Sequence, residues 1–431
     1  MSAMKRKDFF RTIAGTIAAY SVWPGVGRAE PAALPLEQPW PDVDADDEQF
    51  WRFIRLQFPL TEERIYLNTG GLGASPYAVI DAVKAKMDEL EKISETGHTE
   101  QLWKEIKSSA AQMLGCDPEE IAFTRNATEG INIVCNGLLM KSGDEMVTST
   151  HEHVGNAVPW LAKLKRDGII IKLFEPSTRS AQENIDRIGR LITKKTRFIS
   201  IPHATTTTGQ ILPVKEISAL AKSKNIWLFV DGAQTAGMFP FDLHELGCDA
   251  YATSGHKWLL GPKETGILYV RKDMLDVVQP KFVGAYSDNG FDLAKGTLNL
   301  HPTAQRYEYG TVSIPLRVGL GAAIEFLHRI GMENVWKRDQ ALSTRLFNGL
   351  REIPFVEVLS PANSAERSAM VTFRHEKLPF LELQRHLDSY KLRTRGVGEG
   401  GVDGLRISTH IYNTFEEVER VLEAVKTAGK G

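Results

Sequence analysis

Two short segments carry the residue types from which covalent chemistry on an amine can be built. One is Tyr251-Ala-Thr-Ser-Gly-His-Lys-Trp-Leu-Leu-Gly-Pro262, which places Lys257 in a Ser-x-His-Lys run. The other is Val230-Asp-Gly-Ala-Gln234, at the end of a strand-like stretch. A lysine amine forms a Schiff base with an aldehyde. An aspartate can hold a pyridine nitrogen protonated, so that the ring withdraws electrons from a carbanion at an amino-acid Cα. Ser254 and His256, just ahead of the lysine, suit a phosphate group. Lys257 and Asp231 therefore read as the two halves of a pyridoxal phosphate (PLP) site.

Further segments follow the same chemical logic. Phe123-Thr-Arg-Asn-Ala-Thr-Glu-Gly-Ile-Asn132 reads as strand, polar turn and helix. This puts the N–H groups of Ala127 and Thr128 at a helix N-terminus, where unsatisfied donors and partial positive charge favour a phosphate. The Thr128 hydroxyl adds another donor, and Asn126 or Thr128 would equally serve as a simple helix cap. His151-Glu-His153-Val-Gly-Asn156 follows a strand, as does Pro202-His-Ala-Thr-Thr-Thr-Thr-Gly209. Arg306-Tyr-Glu-Tyr-Gly-Thr311 and Leu405-Arg-Ile-Ser-Thr-His-Ile-Tyr-Asn413 complete the set. His203 reads as a structural histidine.

Beyond the N-terminal segment these stretches resemble, in order, the fold-type I PLP enzymes of the class V aminotransferase group. That group includes cysteine desulfurases, isopenicillin N epimerase-like enzymes and several lyases. The resemblance implies that His153 stacks on the pyridine ring and can shuttle protons. Thr206 stands where the desulfurases carry an asparagine beside the cofactor's phenolic oxygen, and Gln234 reaches that oxygen. Asp231 pairs with the pyridinium nitrogen, and Lys257 is the Schiff-base residue and proton carrier at Cα. Thr311 enters the phosphate site of a neighbouring subunit, which implies a homodimer with shared sites. Arg306 and Glu308 could instead form a local ion pair. Arg406 anchors the substrate α-carboxylate through its planar fork, or else forms a structural salt bridge. Asn68, in the turn Asn68-Thr-Gly-Gly-Leu-Gly73, joins it as a substrate-binding candidate. No metal is expected.

Transamination, epimerisation, elimination and decarboxylation all start from the same site, and fold does not decide among them. A cysteine desulfurase needs a cysteine on the loop before the carboxylate arginine. Here that loop, Arg393 to Gly404, has none, which argues against persulfide formation by the family route. The loop is glycine-rich and carries Glu399 and Asp403, positions suited to setting side-chain selectivity. Arg395 within it is a candidate contact for a second substrate carboxylate.

The chain of 431 residues has a formal charge of −2 and 42% hydrophobic residues, an ordinary globular composition with room for two or three domains. Near-neutral charge argues against a nucleic-acid partner. Cys116, Cys135 and Cys248 are too scattered for a disulfide framework or a zinc site. No apolar run is long enough for a membrane span. The N-terminus differs: basic Lys5 to Arg11, small and apolar Thr12 to Gly27, then Gly27-Arg-Ala29. This is a signal-peptide layout resembling a twin-arginine leader, with Lys7 in place of the second arginine. A short amphipathic helix is the other reading. A twin-arginine leader would deliver a folded, cofactor-loaded protein to the periplasm. Exported relatives include periplasmic enzymes that tailor pyoverdine siderophores, so a secondary-metabolite or peptide-linked amino acid is an expected substrate.

Alternating apolar runs and amphipathic stretches position these residues. Strands are expected at 121–124, 145–149, 169–174, 196–202, 226–230 and 250–254. Helices are expected at 77–94, 100–113, 127–137, 156–166, 180–192 and 214–224. This alternation predicts an α/β fold: a large, mostly parallel sheet with helices on both faces, plus a smaller α+β C-terminal domain, and the resemblance implies that the large sheet has seven strands. The expected partition is a leader over 1–30, a linker and N-terminal segment over 31–60 that packs with the small domain, a large PLP-binding domain over 61–317 and a small domain over 318–431. Function belongs at the carboxyl ends of the strands. The expected function is an exported PLP-dependent aminotransferase-like enzyme acting at the Cα of an amino acid or peptide-linked amino acid. An epimerase or a C–S lyase is the alternative within the same chemistry, and a non-catalytic PLP-fold binding protein the alternative outside it.

Overall fold

A computed structural model describes Trp40 and residues 44–429. The leader expected over residues 1–30 lies outside the described residues, as does most of the lead-in. Seven strands form the large sheet: β1 Ile121–Thr124, β2 Glu145–Ser149, β3 Ile170–Phe174, β4 Thr196–Pro202, β5 Trp227–Asp231, β6 Ala250–Ser254 and β7 Gly266–Val270. Their lateral order is β1-β7-β6-β5-β4-β2-β3. The pairs from β3 through β6 are parallel, whereas β7 runs antiparallel to both β1 and β6. The sequence reading missed β7. The connection 255–265 is too short to hold the crossover helix that a parallel return needs, so the chain doubles back. Lys257 sits in that connection. β2, β6 and β7 are buried along their whole length, as expected of strands covered on both faces.

Side-chain caps set the helix starts that matter for the site. Asn126 accepts from the Glu129 N–H (2.9 Å) and opens the helix Ala127–Gly137. The helix expected at 156 begins at Val154 instead, because the His153 ring caps it, Nδ1 accepting from the Gly155 N–H (3.0 Å).

A second sheet contains β8 Val356–Val358, β9 Met370–His375, β10 Arg395–Val397 and β11 Gly404–Ser408 in the order β8-β9-β11-β10, all antiparallel. The helices Met332–Arg351, Phe380–Ser389 and Phe415–Thr427 share its core, which includes Leu346, Phe373, Leu387, Ile407 and Val421. Within the expected linker, Glu48–Leu56 is a helix that buries Phe50, Trp51 and Ile54. Its Arg55 bonds the Tyr412 carbonyl (2.5 Å) and pairs with Glu417 (3.1 Å). Ile65–Tyr66 pairs in parallel with Leu392–Arg393, and Asn68 bridges to Ser408 at the end of β11. The turn 68–73 is thereby carried from the second sheet to the mouth of the first. A hairpin of Asp288–Asp292 and Thr297–Leu300, unforeseen in the sequence, exposes Phe291 and Leu298. No helix among the described residues is long and apolar enough to cross a membrane.

Candidate active site

The loops after β1, β2, β4, β5 and β6 converge on a cavity of about 260 Å³. Ala127, Thr128, His153, Thr206, Asp231, Ser254, His256 and Lys257 line it, together with Gly70 and Gly71 from the N-terminal turn and Arg395 from β10. Gln234 stands behind the wall. Its Nε2 donates to the Gly70 carbonyl (2.9 Å) and to Thr206 Oγ1 (3.4 Å), and its Oε1 accepts from Trp258 Nε1 (2.9 Å). The expected reach of Gln234 to a ring oxygen would have to come from an amide already engaged on both ends. Thr311 lies elsewhere, in the lining of a separate cavity with His98 and Trp103.

Lys257 is buried, and burial holds its amine down at about 8 against the opposing pull of Asp231. A substantial share of the amine is therefore neutral near physiological pH, the form that attacks an aldehyde and accepts a proton. The turn that covers it leaves no slack: a Cβ on Gly73 would sit 1.9 Å from the Lys257 carbonyl oxygen, and the Gly73 N–H donates to the His256 carbonyl (2.8 Å). Asp231 ends β5 and accepts from the Ala233 N–H (2.9 Å). No other side-chain hydrogen bond engages its carboxylate among the described residues, and burial raises its pKa. Burial, reinforced by the charges of Lys257 and Arg395, holds His153 at about 4. With Nδ1 accepting from Gly155, the ring is neutral and carries its proton on Nε2.

Beneath His153 lies an acid that the sequence did not single out. Glu152 is buried and accepts from Ser149 Oγ (2.7 Å) and Asn156 Nδ2 (2.7 Å). Burial pushes its carboxyl up to about 7, with the negative charge of Asp231 adding to the effect. Asn156 in turn accepts from Trp160 Nε1 (3.1 Å) and Ser200 Oγ (3.1 Å), which ties this network to β4.

These residues fit PLP. Ser254 Oγ accepts from the Ala127 N–H (3.2 Å), so hydroxyl and helix N-terminus meet at one point. His256 faces the same cavity, and its Nδ1 is buried without a partner among the described residues. A phosphate there would be held by the Ala127 and Thr128 end of the helix with Ser254 and His256. Asp231 would meet a ring nitrogen, His153 the ring face, and Lys257 the aldehyde.

At the other end, Arg406 on β11 has no exposed surface. Its Nη1 donates to the Thr206 carbonyl and hydroxyl (both 2.8 Å), and its Nη2 to Asn68 Oδ1 (3.2 Å). It makes no ion pair among the described residues, so the structural salt bridge is not what holds it. Burial lowers its pKa to about 9, with the nearby charge of Arg395 contributing. A buried cation without a carboxylate is a prepared anion site.

Comparison with known proteins matches the same arrangement. The family model for class-V aminotransferases covers residues 65–421. The chain belongs to the class-V aminotransferase family. Members of this family are PLP-dependent enzymes of fold type I, and so is this one. A probable cysteine desulfurase of Pyrococcus abyssi is 29% identical, across 86% of this chain and 95% of the relative. A cysteine desulfurase of Cronobacter sakazakii is likewise 29% identical, across 86% and 96%. Among solved structures, the apo cysteine desulfurase of Thermococcus onnurineus NA1 matches with a TM-score of 0.78 at 27% identity, covering 88% of this chain and 98% of that one. The cystine C–S lyase C-DES, bound to its product cysteine persulfide, matches with a TM-score of 0.79 at 29% identity, covering 86% and 99%. Another C-DES structure has glycine covalently linked to the PLP cofactor.

None of this chain's three thiols reaches the cavity. Cys135 and Cys248 are buried and Cys116 is partly buried. Burial raises all three thiols, Cys135 and Cys248 to about 12. The sequence alternative of an Arg306–Glu308 pair does not form. Arg306 binds the His301 and Leu275 carbonyls and Asp276, while Glu308 binds Lys107 (2.9 Å), Trp103 Nε1 (2.6 Å) and the Phe123 N–H (2.8 Å). His203 is buried with Nδ1 beside the Tyr251 hydroxyl (3.0 Å), a packing role. Besides Glu152, sequence reasoning missed Trp258 as the residue that orients Gln234, and the aromatic directly after the lysine was the available signal.

Proposed function

We propose that this protein is an exported aminotransferase-like enzyme that works at the Cα of an amino acid or of a peptide-linked amino acid. The observation that carries the reading is Arg406, a fully buried guanidinium with no acidic partner, joined through Thr206 to the cavity that holds Lys257. Arg406 and Asn68 would bind the α-carboxylate, which fixes the Cα relative to the lysine. Lys257, neutral in good part near pH 8, would take the Cα proton and return it. Asp231 would keep the ring nitrogen protonated, and neutral His153 would hold the ring plane without adding positive charge. PLP, when bound, supplies the electron sink that makes a Cα proton removable.

Elimination is the second reading, and the likeness to the cystine C–S lyase C-DES favours it. It needs the same proton abstraction followed by loss of a Cβ substituent, and no enzyme thiol. Holoenzyme incubated with an amino-acid panel in deuterated water separates the outcomes. An oxo acid with loss of the amino group supports transamination. Release of pyruvate and ammonia, with cysteine persulfide from cystine or with sulfide from cysteine, supports the lyase. Deuterium at Cα without net product supports an epimerase. No change with any free or peptide-linked amino acid overturns the proposed substrate class. Export is a separate proposal, resting on the basic and apolar pattern of residues 5–29. Residues 1–35 fused to a reporter active only after twin-arginine export should give a periplasmic signal, and silence would place the protein in the cytoplasm.

A further inference from the structure

Arg395 of β10 and Arg406 of β11 are directly paired across an antiparallel ladder. Opposed residues in such a pair project from the same face of the sheet at close range, and like charges there repel. The face in question is turned toward the cavity. Arg395 lines it, Arg406 bonds Thr206 in its wall, and Thr372, opposite Arg406 on β9, bonds the Thr207 carbonyl (2.6 Å).

Set against these two cations, among the described residues, is one acid. Glu399 pairs with Arg395 Nη2. It stands on a tight turn in which Gly400 adopts a left-handed conformation (φ 63°), and a Cβ there would meet the His151 ring at 2.8 Å. Arg395 Nη1 and Arg406 Nε remain buried with no partner. Two opposed guanidinium groups with a single counter-charge and two unmet donors leave the site short of negative charge, and an unpaired buried donor is costly. The phosphate side of the cavity is built by another part of the chain: Ala127 and Thr128 open the helix after β1, and Ser254 and His256 stand at and just after the end of β6.

We propose that Arg395 is a specificity residue for a substrate with a second carboxylate, an amino acid of the aspartate or glutamate type. Arg406 takes the α-carboxylate, and Arg395 takes the side-chain carboxylate through Nη1, in competition with Glu399. This assignment rests on the amino-acid reading of the site and names its substrate class.

The test uses holoenzyme and two ligands that lack a Cα proton and so report binding alone: α-methylglutamate and α-aminoisobutyrate, titrated by the visible spectrum of the bound cofactor. The native protein is expected to prefer the diacid by about ten- to a hundredfold, the range of one charge-assisted hydrogen-bonded pair. Arg395→Ala is expected to abolish most of that preference. Arg395→Lys should keep part of it, having charge without the fork. A native preference near unity, or one that Arg395→Ala leaves unchanged at native melting temperature, overturns the proposal. Arg406→Ala separates this from the parent reading. It should weaken both ligands alike, and if it weakens neither, the carboxylate anchor itself is wrong.

Discussion

At the residue scale, the site is governed by what burial does to titratable groups. Lys257 is depressed to about 8, so capture of PLP by apoprotein should accelerate about tenfold per pH unit below that value and level off above it. Rapid-mixing absorbance across pH 6 to 9.5 reads this directly, and a pH-independent rate would show that another step controls capture. Glu152 carries the opposite sign. Its carboxyl is raised by burial, so between the unfolded value near 4.5 and about 7 the native state binds more protons than the unfolded one. Stability contributed by the protonated form is present below pH 4.5 and lost as pH rises through 7. Glu152→Gln, which stays neutral, should therefore gain stability relative to the native protein between pH 5 and pH 8, by an amount on the order of 3 kcal/mol at most. Chemical denaturation at the two pH values checks it, and parallel curves would place the Glu152 pKa in the ordinary range. Lys257 and Asp231 were legible in the sequence because their neighbours within a few residues carry the signal. Glu152 was not, because what distinguishes it is enclosure by Ser149 and Asn156 and proximity to Asp231, a distant residue in the chain.

At the element scale, short pieces of backbone do the positioning. The turn 68–73 packs so closely on the lysine segment that Gly73→Ala should displace the Lys257 backbone. The expected result is loss of most cofactor absorbance with a lowered melting temperature, and an unperturbed spectrum would refute the close approach. Asn126 caps the helix whose N-terminus faces the phosphate end, so Asn126→Ala should cost about 1 kcal/mol and loosen cofactor retention. Equilibrium dialysis together with thermal melts would show both, and loss of stability alone would limit Asn126 to a cap. Helix and strand periods made most of these elements readable. β7 escaped because its antiparallel return depends on the shortness of its connection, not on its own residue pattern. The helix Glu48–Leu56 escaped because a Pro-rich, acidic lead-in masks the apolar stripe of Phe50, Trp51 and Ile54.

At the scale of the whole molecule, Thr311 lies outside the lining of the cavity that holds Lys257. Thr311 shares a cavity of about 180 Å³ with His98, Trp103 and Tyr309, and Phe282 stacks on Tyr309 in an exposed apolar strip (ring centroids 5.8 Å apart). We propose the two-fold dimer that the family resemblance implies, in which Thr311 serves the partner's phosphate end. Sedimentation should give twice the chain mass. Mixed dimers of Lys257→Ala with Thr311→Ala should recover about a quarter of native sites, since half of random dimers carry one intact site. No recovery on mixing would mean that each chain completes its own site.

The amino-acid sequence by itself determined the α/β class, most of the strands and helices of the large sheet's half of the chain, and the placing of Lys257 and Asp231 at strand ends. Each of these is written in local spacing: strand, turn and helix periods, and reactive groups at strand ends. Only the tertiary structure decided that Arg406 is buried without an acid, that Arg395 stands opposite it, and that Gln234 is held by Trp258. Those properties follow from strand register and from the meeting of two sheets. Both are set by contacts between residues far apart in the chain, and burial, the quantity that tunes every charge in this site, exists only once those contacts have formed.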